Sequence, residues 1–206
     1  MAERKSTRCD AVVLAAGAGR RFAEQSGGRK LLAPFEGRPL VAGALDAAFA
    51  APARRVLLVT DGDAELAKVA RDQAQALGRA DDLDIVVATD AAEGMGASLR
   101  AAARALPTDC DAAFVFLGDM PRVPLGLARD LAQALVPGVD AVAPCFSGRR
   151  GHPVLFGKVC FPALRNLGGD LGAREVLAAL DERLALVESG DAGVLFDVDR
   201  PGDLTR

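Results

Sequence analysis

Residues 11–22 read Ala11-Val12-Val13-Leu14-Ala15-Ala16-Gly17-Ala18-Gly19-Arg20-Arg21-Phe22, an apolar stretch of strand length that runs into a loop of glycines and arginines. Similar apolar runs recur downstream, and stretches with helical spacing lie between several of them. This alternation predicts right-handed crossovers around a mainly parallel sheet. We therefore expect one α/β domain over residues 1–206, a Rossmann-like three-layer sandwich, with residues 1–8 as a flexible tail.

The individual elements follow from the length and spacing of these runs. The expected strands are Ala11–Ala15, Arg55–Thr60, Leu83–Ala88, Ala112–Leu117, Val139–Ala143, Val154–Phe156, Leu184–Val187 and Val194–Val198. The expected helices are Leu40–Ala50, Ala64–Leu77, Ala97–Leu106 and Pro124–Leu135. In such sheets ligands bind beyond the carboxyl ends of the strands, so the loops there are the place to look for chemistry.

Composition limits the classes of partner. The chain is 50% hydrophobic but only 4% aromatic, without Trp or Tyr, so its core must be built mainly from Ala, Val and Leu. A formal net charge of −3 disfavours binding to nucleic acid or to an anionic membrane surface. No apolar run approaches the roughly 18 residues of a membrane span, and no signal-peptide core follows the first residues. We expect a cytoplasmic protein.

The cysteines give no sign of a zinc or redox site. Cys9, Cys110, Cys145 and Cys160 are scattered without CxxC spacing. Small apolar core positions are the usual environment of such residues. Any bound metal is therefore expected on carboxylates.

The loop after the first expected strand combines glycines with cations, namely Gly17, Gly19, Arg21 and Lys30. Glycines let backbone amides wrap an anion, and Arg and Lys supply the charge that a triphosphate requires. The alternative is a tight turn beside solvated cations. A dinucleotide fingerprint is excluded because Phe22 stands at its third glycine position, and Walker A is excluded because neither Ser nor Thr follows Lys30.

Acidic residues follow two other expected strands. Asp119 lies in Gly118-Asp119-Met120-Pro121, where a hard cation can bridge a carboxylate to phosphate oxygens. The alternative is a turn residue or helix N-cap. Asp197 and Asp199 follow the last expected strand, and alternation puts both on one face. Asp199 is the expected partner of Asp119 in a magnesium site completed by phosphates and waters.

With these residues the chain resembles the molybdenum-cofactor cytidylyltransferase group of the MobA-like nucleotidyltransferases over nearly its whole length. Six motifs stand in the family's order. They are Leu14-Ala15-Ala16-Gly17 with Arg21 and Lys30, Glu93-Gly94-Met95-Gly96-Ala97-Ser98-Leu99, Gly118-Asp119-Met120-Pro121, Gly151-His152-Pro153-Val154-Leu155-Phe156, Gly169-Asp170-Leu171-Gly172-Ala173-Arg174, and Asp197-Val198-Asp199-Arg200-Pro201-Gly202-Asp203-Leu204.

The resemblance implies a nucleotide-diphospho-sugar transferase-like fold, Mg²⁺ as cofactor, and transfer of CMP from CTP to the terminal phosphate of molybdopterin or molybdenum cofactor with release of pyrophosphate. Ala16 implies CTP, because the guanylyltransferase branch typically carries Gly there. The implied nucleotide-binding residues are Leu14, Ala15, Ala16, Gly17, Gly19, Arg21, Lys30, Gly94, Ser98 and Asp119, of which Arg21, Lys30 and Asp119 are catalytic. Asp119 and Asp199 are the implied metal ligands, and His152, Asp170 and Arg174 the implied acceptor ligands.

Several alternatives remain open for single residues. Ser98 is also a candidate helix cap, and Asp170 with Arg174 a local ion pair. His152 is the only histidine, but an acceptor phosphate is already mostly dianionic at neutral pH, so no general base is required. The loop Ala23–Arg29 is longer than in the family, and Arg29 replaces a residue that is often Pro or Asp.

Other functions also fit parts of the sequence. One is transfer to a different phosphorylated acceptor such as methylerythritol phosphate, which the motifs downstream of residue 150 disfavour. Another is a nucleotide-binding chaperone that delivers cofactor to an apo-enzyme. For the molybdopterin reaction, a molybdoenzyme is an expected recipient of the product. A nicotinamide oxidoreductase would need the fingerprint that is absent.

Overall fold

A mainly parallel sheet forms the centre of the computed structural model, which describes residues 7–17, 19–169 and 172–205 without the side chain of Arg20. Its strands and a small hairpin are β1 (Cys9–Leu14), β2 (Pro34–Phe35), β3 (Arg38–Pro39), β4 (Val56–Thr60), β5 (Leu83–Val87), β6 (Ala112–Leu117), β7 (Ala141–Phe146), β8 (Arg149–Arg150), β9 (Val154–Gly157) and β10 (Leu184–Glu188). The helices are α1 (Arg20–Ser26), α2 (Val41–Ala50), α3 (Ala64–Ala76), α4 (Met95–Ala105), α5 (Leu127–Ala134), α6 (Phe161–Leu164) and α7 (Arg174–Ala178).

The strand order of the central sheet is β10-β7-β9-β6-β1-β4-β5, with β8 paired to β7 and the hairpin β2–β3 separate. Strand β1 pairs in parallel with β4 and β6, β4 with β5, and β7 with β10, whereas β9 lies antiparallel between β6 and β7. Leu14 is in register with Leu117. The loops after β1 and β6 therefore leave the sheet side by side.

Alternate residues of the central strands face two hydrophobic clusters, which makes the sandwich three-layered. Ala11 and Val13 belong to the cluster under α2, α3 and α5, and Val12 and Leu14 to the cluster under α4, α6 and α7. Many of the helix residues in contact are alanines, which allow close helix-to-sheet approach. The fold class predicted from the sequence is confirmed.

A third, smaller hydrophobic cluster lies beside the carboxyl end of the sheet. We call it the small core: Phe22 of α1, Phe35 of β2, Leu40, and Val198 near the end of the chain. It joins three segments: α1 and the hairpin that follows it, and the Val198 segment, which is far from both in sequence. Each of these segments also carries a charged residue of the candidate site described below.

The predicted strand Val194–Val198 is wrong. Residues Ala192–Leu195 form a 3₁₀ helix instead, and the Asp191 side chain accepts a hydrogen bond from the Gly193 amide (2.7 Å) at its start. This local capping bond competes with strand pairing. Val194 and Val198 are still buried, so the apolar pattern reported burial correctly but not conformation.

The amino end of the sheet carries a network of charges. Asp10 is fully buried and accepts bonds from Arg54 at 2.9 and 3.2 Å, and Arg54 also pairs with Asp109 at 2.8 Å. Arg8 pairs with Asp109 and Asp111, which holds a residue that the sequence placed in a flexible tail. Residues 1–6 of that expected tail lie outside the described residues.

All four cysteines are free and buried, as expected of core residues. Burial raises the pKa of the Cys9 and Cys160 thiols to about 11 and that of Cys110 to about 12. Among the described helices, none combines the length and apolarity needed to cross a membrane.

Candidate active site

The site is built where the loops after β1 and β6 leave the sheet. The Gly118 amide donates to the Leu14 carbonyl (2.9 Å), so the backbone of β6 stays close to β1 for one residue beyond the strand. Asp119 follows at once, in a turn rather than at a helix N-terminus, since α5 begins only at Leu127. The N-cap alternative for Asp119 is therefore wrong.

Lys30 reaches this point from the first loop. Its Nζ donates to Asp119 Oδ2 at 2.6 Å and lies 3.9 Å from Asp199 Oδ1, and its side chain is only 12% exposed. The unusual Arg29 beside it faces away and pairs with Asp63 and Glu65 at the start of α3. The longer loop thus ends with one cation anchored outside the site and the next inside it.

Asp199 enters from the end of the chain and pairs with Arg21 at 3.2 Å. Two contacts fix its backbone: the Val198 amide donates to the Asp119 carbonyl (3.0 Å), and Asp203 accepts from the Asp199 amide (3.1 Å). Partial burial raises the pKa of Asp197, and the negative charges of Asp199 and Asp119 raise it further. Three carboxylates therefore lie near one another.

A cavity of about 410 Å³ opens on one side of this charged cluster, and we call it the donor lobe. Of the predicted nucleotide-binding residues it is lined by Leu14, Ala16, Gly17, Gly19, Lys30, Gly94, Ser98 and Asp119. Ala15 is not on its wall, because its side chain packs in the core against Gly118. Gly19 has φ +52, a conformation that glycine adopts without strain as the chain turns into α1.

A second cavity of about 500 Å³, the acceptor lobe, lies on the other side. Both lobes are lined by Asp119 and Asp199, so the carboxylates stand at their junction. Arg21 lines the acceptor lobe and not the donor lobe where the sequence placed it. The acceptor lobe also holds the predicted Arg174, together with His152, and its wall combines exposed arginines of β8 with apolar residues of the sheet.

His152 is held by its backbone, whose amide donates to the Val194 carbonyl (3.0 Å). Its Nδ1 is buried and has no hydrogen-bond partner among the described residues. Burial lowers the pKa of His152 to about 4, and the positive charges of Arg150 and Arg174 lower it as well. A hydrogen bond with the Val115 backbone and the negative charge of Asp119 raise the pKa, but they only partly offset the effect of burial. The imidazole is therefore neutral at pH 7.

Helix α4 separates the two lobes at its amino end. Ser98 lies inside this helix and is buried, so it is not the cap; Gly94 is at the N-cap position without a side-chain bond. The Gly96 amide donates to the Gly169 carbonyl (2.9 Å), which ties the helix to the loop that leads to Asp170. Asp170 itself lies outside the described residues, so neither its acceptor role nor its pairing with Arg174 is addressed.

Sequence reasoning missed Arg100, which lies on α4 and pairs with Glu93 (2.9 Å) and Asp90, and also donates to the Leu167 carbonyl. Glu93 borders the donor lobe. Glu93 ends the 3₁₀ helix Ala91–Glu93 and α4 begins only at Met95, so helical spacing gave no signal for this pair. Among the described residues, no three His, Cys, Asp or Glu side chains are grouped as a ready metal site.

Residues 11–184 match the MobA-like NTP transferase domain, and this stretch includes Lys30 and Asp119 of the candidate site. The chain belongs to the MobA-like NTP transferase family. It is accordingly a nucleotidyltransferase by family, and the paired lobes lie at the sheet end where such a fold binds ligands.

Among its relatives, this MobA-like chain is 31% identical over 202 residues to the nicotine blue oxidoreductase of Paenarthrobacter nicotinovorans, covering 95% of this chain and 94% of the relative. It is 34% identical over 117 residues to the purine catabolism protein PucB of Bacillus subtilis (strain 168), and that match spans only 56% of either chain.

Solved structures agree. Rv0371c from Mycobacterium tuberculosis H37Rv superposes with a TM-score of 0.75 at 26% identity, covering 98% of both chains. A second structure of Rv0371C, described as a complex with manganese, has a TM-score of 0.71 at 28% identity and covers 97% of each chain. The MobA-like fold therefore extends over nearly the whole chain.

Proposed function

We propose that the protein transfers CMP from CTP to the terminal phosphate of molybdopterin or molybdenum cofactor and releases pyrophosphate. The observation that carries this proposal is the position of Lys30, Asp119 and Asp199 at the junction of two lobes. A donor on one side and an acceptor on the other would meet at these charges. Such placement of two reactants is the main requirement of a phosphoryl-type transfer.

The reaction we propose is an in-line attack by an acceptor phosphate oxygen on the α-phosphorus of CTP, which forms one P–O bond and breaks the bond to pyrophosphate. The Lys30 side chain is mostly buried, so its charge acts on a phosphate with little screening by water. Arg21 lies across Asp199 and is mostly exposed, which leaves it free to turn toward an incoming phosphate. No step requires a protein base, in keeping with the neutral, buried imidazole of His152.

A divalent cation fits the residues present. The Lys30 ammonium already lies within 4 Å of both Asp119 and Asp199, so these two carboxylates can share one positive charge. Asp119 and Asp199 would hold the metal, and phosphate and water oxygens would complete the shell that Mg²⁺ prefers. When bound, the metal supplies charge stabilisation to the triphosphate. The manganese complex of Rv0371C supports a divalent ion in this family.

The acceptor lobe supports a phosphorylated, partly apolar acceptor. Arg149, Arg150 and Arg174 supply cations, whereas Val154, Phe156 and Leu177 supply apolar wall. Guanidinium groups bind phosphate by paired hydrogen bonds. The buried Nδ1 of His152 leaves one polar atom on this side without a partner among the described residues. Methylerythritol phosphate has no comparable apolar body, which favours the pterin-type acceptor.

The test is pyrophosphate release by purified protein with Mg²⁺, comparing CTP, GTP and ATP with and without molybdopterin. Release that needs both CTP and molybdopterin supports the proposal. Release with GTP in place of CTP overturns the inference from Ala16. Release with CTP and methylerythritol phosphate but not with molybdopterin overturns the acceptor.

The second candidate function is a nicotinamide-dependent oxidoreductase, because the nicotine blue oxidoreductase matches nearly the whole chain. Against a nicotinamide site stands Phe22, which occupies the third glycine position of the fingerprint and is buried in the small core. Oxidation of NADH or NADPH, followed at 340 nm with the same preparation, separates the two.

Asp119→Ala tests a chaperone role: we expect it to abolish transfer and to spare binding to a molybdoenzyme.

A further inference from the structure

The two acidic segments of the site have a reason to move apart. Asp119, Asp197 and Asp199 all line the same cavity, and like charges that share a cavity wall repel. Lys30 offsets part of this repulsion, but an incoming triphosphate would compete for its ammonium group. The backbone bond from the Val198 amide to the Asp119 carbonyl (3.0 Å) is the direct link between the segments. A single backbone bond of this kind contributes only about 1 kcal/mol.

Arg122 supplies a second link. It lies three residues after Asp119, and its guanidinium carbon is 4.5 Å from the ring centroid of Phe196, the residue before Asp197. The same group is 5.2 Å from the ring centroid of Phe35 in the small core, and it pairs with Glu36 at 3.1 Å. The two rings are themselves in contact, with centroids 6.0 Å apart. One side chain of the Asp119 loop is therefore held against the segment that carries the other two carboxylates.

The backbone next to Arg122 is also in tight contact with that segment. A Cβ atom on Gly193 would collide with the Arg122 carbonyl oxygen, so only glycine permits this approach. Stacking on two rings suits the flat, weakly hydrated guanidinium group and does not suit the compact ammonium of lysine.

We propose that Arg122 is a positioning residue that holds the Asp119 loop and the Phe196–Asp199 segment in register, so that Asp119 and Asp199 face one site. Its effect on metal and on turnover rests on the proposed function, whereas its effect on loop register does not. Groups that orient metal ligands from behind typically change metal affinity or activity by about 10- to 100-fold when removed.

The test compares wild type, Arg122→Lys, Arg122→Ala and Glu36→Gln with Arg79→Ala as the matched control. Arg79 also places its guanidinium over a phenylalanine, Phe49 at 5.7 Å, and pairs with an aspartate, but it does so beyond the carboxyl ends of α2 and α3, where it donates to the Phe49 and Ala53 carbonyls. Loss of stability alone would therefore appear in both Arg→Ala variants.

Two readouts are taken on each protein: hydrogen exchange of peptides covering 118–124 and 194–200, and Mn²⁺ binding by electron paramagnetic resonance. We expect Arg122→Ala to exchange faster in both peptides and to need about 10-fold more Mn²⁺ for half-saturation. Arg122→Lys should behave almost as Arg122→Ala. Glu36→Gln should stay near wild type, because an exposed ion pair contributes little, and Arg79→Ala should leave both readouts unchanged.

Unchanged exchange in both peptides of Arg122→Ala overturns the inference, whatever the protein transfers. Faster exchange with Mn²⁺ binding within twofold of wild type overturns the positioning of the carboxylates. If wild type binds no Mn²⁺ while Arg122→Ala still exchanges faster, the metal assignment of the proposed function fails and the role of Arg122 in loop register stands.

Discussion

Lys30 has two carboxylate neighbours and little exposure, which distinguishes it from the other lysines of known environment. At 2.6 Å from Asp119 its ammonium group satisfies a carboxylate that would otherwise stand beside two further acids. A bound triphosphate would draw the same ammonium toward the donor lobe. Lys30 is thus placed to exchange one negative partner for another as substrate arrives.

Lys30→Met is expected to lower pyrophosphate release by about 100-fold or more, because a charge aimed at the reacting phosphates is lost. The measurement is kcat with CTP and the acceptor. Lys68→Met is the control, since Lys68 is an exposed lysine paired with Asp72 on α3. Activity of Lys30→Met within threefold of wild type would remove Lys30 from the reaction.

His152 makes the free energy of unfolding depend on pH. Its pKa is about 4 in the folded protein against 6.5 for an ordinary histidine. Between these values the unfolded chain binds the extra proton, so stability is complete above pH 6.5 and falls as pH decreases toward 4. Denaturant titrations followed by circular dichroism at pH 7 and pH 5 should show a smaller loss in His152→Gln than in wild type. An equal loss in both would contradict the assignment.

At the scale of elements, α3 is the helix whose start is best defined. The Asp63 side chain accepts from the Glu65 and Leu66 amides, both at 3.0 Å, and it also pairs with Arg29. The cap therefore serves the helix and the loop that presents Lys30.

Asp63→Ala should lower the free energy of unfolding by about 1 kcal/mol, the usual value of an N-cap. It should also raise the apparent KM for CTP, because Arg29 loses one of its two carboxylate partners and keeps only Glu65. Asp81→Ala, an exposed acid of the 3₁₀ helix Ala80–Asp82, is the control for loss of charge alone. A stability loss without any change in KM would show that the loop does not depend on the cap.

Most elements could be predicted because their hydrophobic period is regular. β6 has the predicted bounds and β4 differs by one residue, since buried strands of such a sheet are continuous apolar runs. β5, a half-buried strand at the sheet edge, also differs by one residue. The conformation of residues 192–198 could not be predicted, because a capped 3₁₀ helix and a short strand would bury the same valines.

The site was predictable to the extent that it lies at strand ends. The convergence of Lys30 and Asp119 follows from loops that leave adjacent parallel strands at one edge. Arg122 had no such signal, because its ring partners Phe35 and Phe196 are distant in sequence and are set by packing. Arg100 had none either, because its carboxylate partners Asp90 and Glu93 precede its helix. Arg21 lines the acceptor lobe in this structure, since strand order does not fix the direction of an exposed side chain, and its role in nucleotide binding stays a prediction.

The molecule as a whole has two unlike ends. At the amino end of the sheet the buried Asp10 is paired with Arg54, whereas the carboxyl end gathers three carboxylates near Lys30. Sites that collect like charges are held at a cost in stability that the rest of the fold offsets.

Asp10→Asn should therefore lower the free energy of unfolding by on the order of 2 kcal/mol, because charge-assisted bonds are lost at a buried position. Asp197→Asn at the other end should leave it unchanged or raise it, because a group with a raised pKa is released from its neighbours' repulsion. Urea titration at pH 7 measures both. The opposite ranking would contradict this division of roles.

The buried thiols allow the opening of individual strands to be followed by chemical labelling. Since the chain has no Trp or Tyr, fluorescence says little about its opening, but a thiol reagent reacts with thiolates and reaches these side chains only when the surrounding layer parts. Cys9 lies on β1 inside the sheet, whereas Cys145 lies on β7, next to the edge strand β10. Pulse labelling read by mass spectrometry would thus measure how soon each strand opens, and we expect Cys145 to be modified before Cys9.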